Sequence, residues 1–256
     1  MRILLMVKQV PDTNTNLLDE SKFSRKGPMV LNPQCEYALD AAAALKGDGR
    51  VVAFTMGPSK ARHALFRCLE LGADLAYHLC DSDFAGSDVW ATANTLSKAI
   101  MEFEPEFDII LCGGHAADAE TGLLPTMLAA ALGIPVINRC RGIRYEGGSL
   151  IANRERNGIP SELIVPSKSL VSMIQGSNVH RLPSLKDLQD ARAKQIKTLD
   201  RGSLGLRKDE CGASGSFTKV DAVFAADHSR EGVELVLDDT DTALDLVIDV
   251  FQGDER

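Results

Sequence analysis

The feature that most constrains this chain is a repeated unit: a short apolar run, a glycine turn, then a segment with helical spacing. Residues 107–135 show it most clearly. Ile109 to Cys112 is an apolar run that breaks at Gly113-Gly114. A polar loop spans Ala116 to Gly122, and an alanine-rich helical pattern runs from about Leu123 to Leu132, stopping at Gly133-Ile134-Pro135. The free N–H groups at such a helix start attract anions, phosphate above all. One such turn is weak evidence, because parallel α/β proteins contain several.

The unit recurs. Ile3 to Val7 is an apolar run bounded by charge, as a buried parallel strand would be. Pro11 argues against a simple continuation of that strand, and Asp12-Thr13 favours a turn. Residues 14–29 read as a loop or short hairpin. Asn32-Pro33 opens a helix with Asn32 as N-cap and Pro33 at its first position. Ala38, Ala41, Ala42 and Leu45 share one face of that helix, and Gly47 stops it. Val51 to Met56 is the next strand, turning at Gly57-Pro58 into a helix from Ser59 or Lys60 to Gly72. Ala76 to Cys80 is the third strand. A polar loop from Asp81 to Ser87 leads to a long helix through Val89, Ala93, Leu96, Ile100 and Phe103. Val136-Ile137 starts another short strand.

This alternation predicts an α/β fold, a parallel twisted sheet with helices on both faces. Ligands of such sheets bind beyond the carboxyl ends of the strands. Residues 8–13, 56–59 and 113–122 then converge on one crevice, bordered by Asp83 to Asp88. From Gly142 the pattern changes. Leu150 to Arg156, Ser161 to Val165 and Ser169 to Ile174 read as antiparallel strands, with Asn157-Gly158 a hairpin turn. Pro183 to Ala193 reads as a short helix. Lys194 to about Glu231 has little periodicity, too long for an ordinary loop. Asp239-Thr240 caps a final helix with Leu244, Val247, Ile248 and Phe251 on one side. Such an arm either embraces another chain or folds back on its own domain.

Composition narrows the function. The net charge of -8 disfavours nucleic acid and anionic membranes as main partners. The six cysteines form no C-x-x-C pair and read as small buried hydrophobes of a reducing cytosol. The apolar run at the N-terminus is too short for a signal peptide, and none approaches the roughly 18 residues of a membrane span. These features point to a soluble, cytoplasmic protein. No G-x-S-x-G, H-E-x-x-H, Walker A or G-x-G-x-x-G pattern is present, and no catalytic constellation emerges. His115 is the one histidine in a candidate ligand loop, read as structural or solvent-facing rather than catalytic. Trp90 reads as helix packing rather than a flavin stacker. Asp12 is either a turn former or a ribose or flavin ligand. Asp118 and Glu120 suit the helix dipole but would repel a phosphate in the same pocket. Asp118 therefore caps the helix, or holds a loop or sugar hydroxyl while backbone N–H groups take the phosphate.

Several segments, in order, resemble the beta subunit of electron-transfer flavoproteins along nearly the whole chain. They are Val7-Lys8-Gln9-Val10-Pro11-Asp12-Thr13, Leu31-Asn32-Pro33, Met56-Gly57-Pro58 and Leu71-Gly72-Ala73-Asp74. Phe84-Ala85-Gly86-Ser87-Asp88-Val89-Trp90-Ala91-Thr92 is similar to the electron-bifurcating branch. The resemblance implies an adenine-nucleotide alpha-hydrolase-like fold and a heterodimer with an alpha subunit that holds most of one FAD. It implies AMP, or in the bifurcating branch a second FAD reduced by NADH, in this subunit's crevice. The implied cofactor-binding residues are Met6, Lys8, Asn32, Pro33, Gln34, Cys35, Met56, Gly57, Asp118, Ala119, Glu120, Thr121, Gly122, Leu123, Pro125 and Thr126. Pro11, Asp12, Thr13, Phe84, Gly86 and Asp88 would border the isoalloxazine or nicotinamide. Leu185 matches a leucine that recognises partner dehydrogenases, of acyl-CoA or other type. Residues 1–193 would form the nucleotide-binding domain, and 194–256 an arm and helix embracing the alpha subunit. Aligned without gaps, Leu123 and Pro125 stand where the family usually has glutamine and glycine, which removes a side-chain hydrogen bond and a backbone N–H near the phosphate; an alternative alignment, with a gap, matches Thr121-Gly122 to the family's Thr-Gly. The competing classes are a stand-alone nucleotide-binding enzyme or sensor, with a locally folded tail, and a structural partner that binds no nucleotide.

Overall fold

The computed structural model describes residues 1–12, 28–176 and 180–222, with residues 244 and 248. It contains two compact units, Met1–Ala222 and Val223–Arg256. The expected boundary at 193/194 thus falls inside the first unit. In the second, Leu244 and Ile248 are helical and exposed. The remaining expectations for the terminal helix, including the Asp239-Thr240 cap, Val247 and Phe251, lie outside the described residues.

The first unit is built on a nine-stranded sheet. Its strands are β1 (Arg2–Met6), β4 (Arg50–Met56), β5 (Leu75–Leu79), β6 (Ile109–Gly113), β7 (Val136–Glu146), β8 (Ser149–Arg156), β9 (Ile159–Val165), β10 (Ser169–Met173) and β11 (Ile196–Leu199). The order is β11-β5-β4-β1-β6-β10-β7-β8-β9, parallel from β11 to β7 and antiparallel through β8 and β9. A separate antiparallel pair joins β2 (Gln9–Pro11) to β3 (Met29–Leu31). Pro11 fits at the end of that edge pair, where no N–H is required of it.

Alternating side chains divide the core between the two faces of the sheet. Ile3, Leu5 and Val7 pack with α1 (Pro33–Leu45) and α2 (Arg62–Glu70) through Ala38, Leu39, Leu65 and Leu69. Leu4 and Met6 pack with α3 (Val89–Phe103) and α4 (Leu124–Leu132) through Leu96, Ile100 and Leu128. The change of face falls between β1 and β6, which places a crevice at their carboxyl ends.

Three expectations are corrected. Ser169–Met173 is not antiparallel: it lies between β6 and β7, parallel to both and buried at every position. Val136-Ile137 opens an eleven-residue strand rather than a short one. At Arg139, φ 63°, with the register slipping nearby, β7 leaves the parallel ladder and continues into the antiparallel one. Ile196–Leu199, expected to be irregular, pairs in parallel with β5 at the sheet edge. The hairpin turn does sit at Asn157-Gly158, with φ of 53° and 76°, a type I′ signature.

After β11 the chain folds over the loop that follows β5. Arg201 Nε donates to Asp83 at 2.7 Å, and Ala213 N–H donates to the Ala85 carbonyl at 2.9 Å. Gly212 makes the approach possible: a Cβ there would lie 2.0 Å from the Asp83 carbonyl oxygen, and its φ is 61°. α5 (Leu185–Ala193) starts with a reciprocal capping box between Ser184 and Asp187.

Candidate functional site

The crevice is assembled from the chain ends of β1, β4 and β6 and the start of α1. Gly113 ends β6 where a Cβ would lie 2.9 Å from the Gln34 carbonyl carbon and 3.0 Å from the Cys35 nitrogen. Glycine therefore lets the first turn of α1 lie directly on the end of β6. Asn32 occupies the N-cap position of α1 but makes no side-chain cap bond. Its amide spans to the next loop instead. Nδ2 donates to the His115 carbonyl at 2.8 Å, and Oδ1 accepts from Ala117 N–H at 3.2 Å. Gln34 grips the same loop: its Oε1 accepts from His115 N–H at 3.0 Å, and its Nε2 lies against the His115 ring Nε2. The backbone contact orients the amide with its Nε2 toward the ring, while the ring Nδ1 is buried with no hydrogen-bond partner among the described residues. The imidazole packs into the clamp through its Nε2.

Lys8 and Asp118 close the other side. Lys8 Nζ lies 2.7 Å from Asp118 Oδ1, with side-chain exposures of 38% and 10%. This pair resolves the conflict over the carboxylate. Asp118 does not cap α4, whose cap residue is Leu123 with no side-chain bond. It ties the 113–122 loop to the loop after β1, and Lys8 compensates its charge. The first N–H groups of α4 have no partner within the helix, and Pro125 supplies none. Ala119, Glu120, Thr121, Gly122 and Leu123 are exposed at this mouth, Glu120 with φ 50°. Thr126 Oγ1 accepts from Asn138 Nδ2 at 2.9 Å.

The remaining expected residues divide in four. Met6 and Cys35 are buried in the cores on opposite faces, so what they can offer a ligand is main chain. Burial pushes the Cys35 thiol above its ordinary range, against the Asn32 side-chain contact that lowers it. Met56 and Gly57 sit beside β1 at the end of β4, where Gly57 N–H donates to the Leu79 carbonyl at 3.0 Å. Pro11 and Asp12 flank the β2–β3 pair, with Asp12 N–H donating to the Pro28 carbonyl at 3.0 Å. Thr13 lies outside the described residues. Phe84 is buried and Gly86 packs on Ala213. Asp88 caps α3 by accepting from Ala91 N–H at 2.9 Å. Its other oxygen accepts from Thr218 N–H at 2.9 Å and Thr218 Oγ1 at 3.0 Å. Burial opposes the charge on Asp88, but these donors outweigh it and hold the carboxyl below its usual range. Trp90 packs on Phe217, ring centroids 5.4 Å apart.

The clamp contacts of Asn32 and Gln34 and the tail contacts of Asp88 escape sequence reasoning for the same reason. Their partners lie 81 to 130 residues away, and no local spacing encodes them. The amide side chains on either side of Pro33 are a signal for the clamp, but not for its target.

The crevice offers helix-start N–H groups and Lys8 as donors suited to an anion, beside the Asp118 carboxylate that Lys8 compensates and the exposed Glu120. Among the described residues no cluster of side chains could hold a metal ion, and no helix is long and apolar enough to cross a membrane. Residues 21–203 match the family model described as the electron transfer flavoprotein domain. The chain is 38% identical over 238 residues to an electron transfer flavoprotein subunit beta of Thermoanaerobacterium thermosaccharolyticum, covering 91% of each chain. It is 36% identical to the subunit beta of Megasphaera elsdenii, covering 93% of each. It is also 34% identical to the caffeyl-CoA reductase-Etf complex subunit CarD of Acetobacterium woodii, covering 86% of each.

Proposed function

The chain belongs to the electron transfer flavoprotein beta-subunit family, and on that premise we propose that it pairs with an alpha subunit and carries a second FAD in its own crevice, accepting hydride from NADH. A flavin so bound supplies two-electron acceptance and one-electron release. The protein's part is to bind and orient it. The observation that carries the nucleotide reading is the Lys8–Asp118 pair, which compensates the half-buried carboxylate nearest the α4 start and so favours an anion at the helix N–H groups, with Glu120 exposed at the mouth. The Asn32 and Gln34 amides hold that loop in register with α1. Similarity to the caffeyl-CoA reductase-Etf complex subunit CarD supports a place in an electron-transfer complex with other subunits.

A second reading has its own observation. Asp88, expected beside the isoalloxazine, has both oxygens engaged by α3 and Thr218. That arrangement favours AMP in the crevice and a single FAD held mainly by the alpha subunit. In either form the exposed Leu185 at the start of α5 would meet an acyl-CoA-type or other dehydrogenase, and the chain would work in the cytoplasm. Anaerobic NADH titration of the purified heterodimer, with mass spectrometry of the released ligands, separates the readings. Two FAD per heterodimer and flavin reduction by NADH support the first. One FAD plus AMP overturns it in favour of the second. A chain that is stable and nucleotide-loaded without any alpha subunit overturns both.

A further inference from the structure

The segment that leads into α5 presents two apolar side chains to solvent: Leu182 is 81% and Leu185 80% exposed. An apolar contact is effective only if its side chains are held in place before the partner arrives, because ordering them on binding costs affinity. Local bonds provide part of this order. Asp187 accepts from Ser184 N–H at 2.8 Å, and Arg181 lies 3.1 Å from the same carboxylate. These bonds order the segment internally but do not attach it to the body of the domain.

The far end of α5 is held by its packing on α2, by the buried Ala191 and by Lys194, which donates to the Leu69 and Ala73 carbonyls; at the near end His180 makes the attachment. Its Nδ1 lies 2.7 Å from Asp40 Oδ2, and Asp40 is 10% exposed. Its ring lies on Tyr37 with centroids 4.2 Å apart, and Nε2 faces Glu36 Oε2 at 3.9 Å. Glu36, Tyr37 and Asp40 occupy successive turns of α1, the helix whose first turn grips the crevice loop. A carboxylate can only accept, so Nδ1 carries the proton in this contact. The arrangement is a charge-assisted bond backed by a ring contact, on a rigid helix, five residues before a helix that presents an exposed leucine.

We infer that His180 is a positioning residue, fastening the Leu182–Leu185 segment to α1 so that both leucines are presented to a protein partner in a fixed orientation. The inference rests on the reading that this segment meets the dehydrogenase. His180 touches neither nucleotide nor substrate, so its loss should act on partner affinity and leave crevice occupancy unchanged.

The test uses the assembled heterodimer with the acyl-CoA dehydrogenase of the same organism as electron donor. His180→Ala should raise the KM for the dehydrogenase about fivefold, with kcat within about twofold and bound nucleotide unchanged. Tryptic cleavage after Arg181 should speed up in parallel, because it reports opening of the fastened segment. His180→Asn places an amide nitrogen near the position of Nδ1 and should restore most of both properties. Asp40→Ala should match His180→Ala, and the double variant should add little to either. Unchanged KM and cleavage in His180→Ala, or failure of His180→Asn to restore them, overturns the inference. Leu185→Ala keeps this outcome distinct from failure of the underlying reading. If it leaves the KM unchanged, the docking reading itself falls. If it raises the KM while His180→Ala does not, only the positioning role is lost.

Discussion

Asp88→Ala tests whether this carboxylate serves the fold or the redox site. The side chain accepts from Ala91 N–H as the cap of α3 and from two donors of Thr218. Loss of an N-cap costs about 1 kcal/mol. The Thr218 contacts are exposed, and together they contribute about 1 kcal/mol more, since water replaces much of what is lost. The total of about 2 kcal/mol corresponds to a fall of roughly 4–8 °C in Tm for a unit of this size. The carboxyl is held below its usual range in the folded state, so its stabilisation is present above the unfolded pKa, about 3.9, and is lost as pH falls through the lower folded value. The Tm gap between wild type and Asp88→Ala should therefore be full at pH 7 and narrow progressively below about pH 4. Differential scanning calorimetry of the heterodimer from pH 3 to 7 measures it. Asp88→Asn keeps a capping oxygen, so it should retain more than half of the stability and leave flavin potentials unchanged. A shift in flavin potential with no change in Tm would refute the structural assignment and return Asp88 to the cofactor.

Two further substitutions probe the crevice. Lys8→Met leaves Asp118 uncompensated and adds one negative charge to the site; at an effective dielectric of 20, discounted for exposure, this should weaken adenine-nucleotide binding by about 1 kcal/mol, roughly fivefold. Isothermal titration at low and high salt measures it, and equal affinities in wild type and variant at low salt would remove Lys8 from the site. Gly113→Ala drives a methyl against the backbone of Gln34 and Cys35 and should cost about 1–3 kcal/mol together with bound nucleotide; a variant with native Tm and full nucleotide content would contradict the close approach.

Most of the architecture is local and was legible for that reason. Strand runs such as Ile3–Val7 and the three-and-four spacing of Val89 to Phe103 carry their periodicity in neighbouring residues, and Asn157-Gly158 fixes its turn by backbone sterics alone. The strand–glycine–helix unit at 107–135 located the crevice on the same grounds. Short strands with polar positions hid their place in the sheet: Ser169–Met173 carries two serines, yet every residue of it is buried between β6 and β7. Ile196–Leu199 shows alternation too brief to register, and only the free edge of β5 makes it a strand.

The sequence by itself determined which residues form strands and helices, which edge of the sheet gathers the loops, and the family to which the chain belongs. The tertiary structure alone decided what those loop residues do. Asp118 meets Lys8 across 110 residues of chain, Asn32 meets Ala117 across 85, and Asp88 meets Thr218 across 130. A carboxylate or an amide has the same local propensity whether it caps a helix, bonds a ligand or ties two loops together. Its role is set by the donor that folding brings within about 3 Å, and that donor has no fixed distance along the chain.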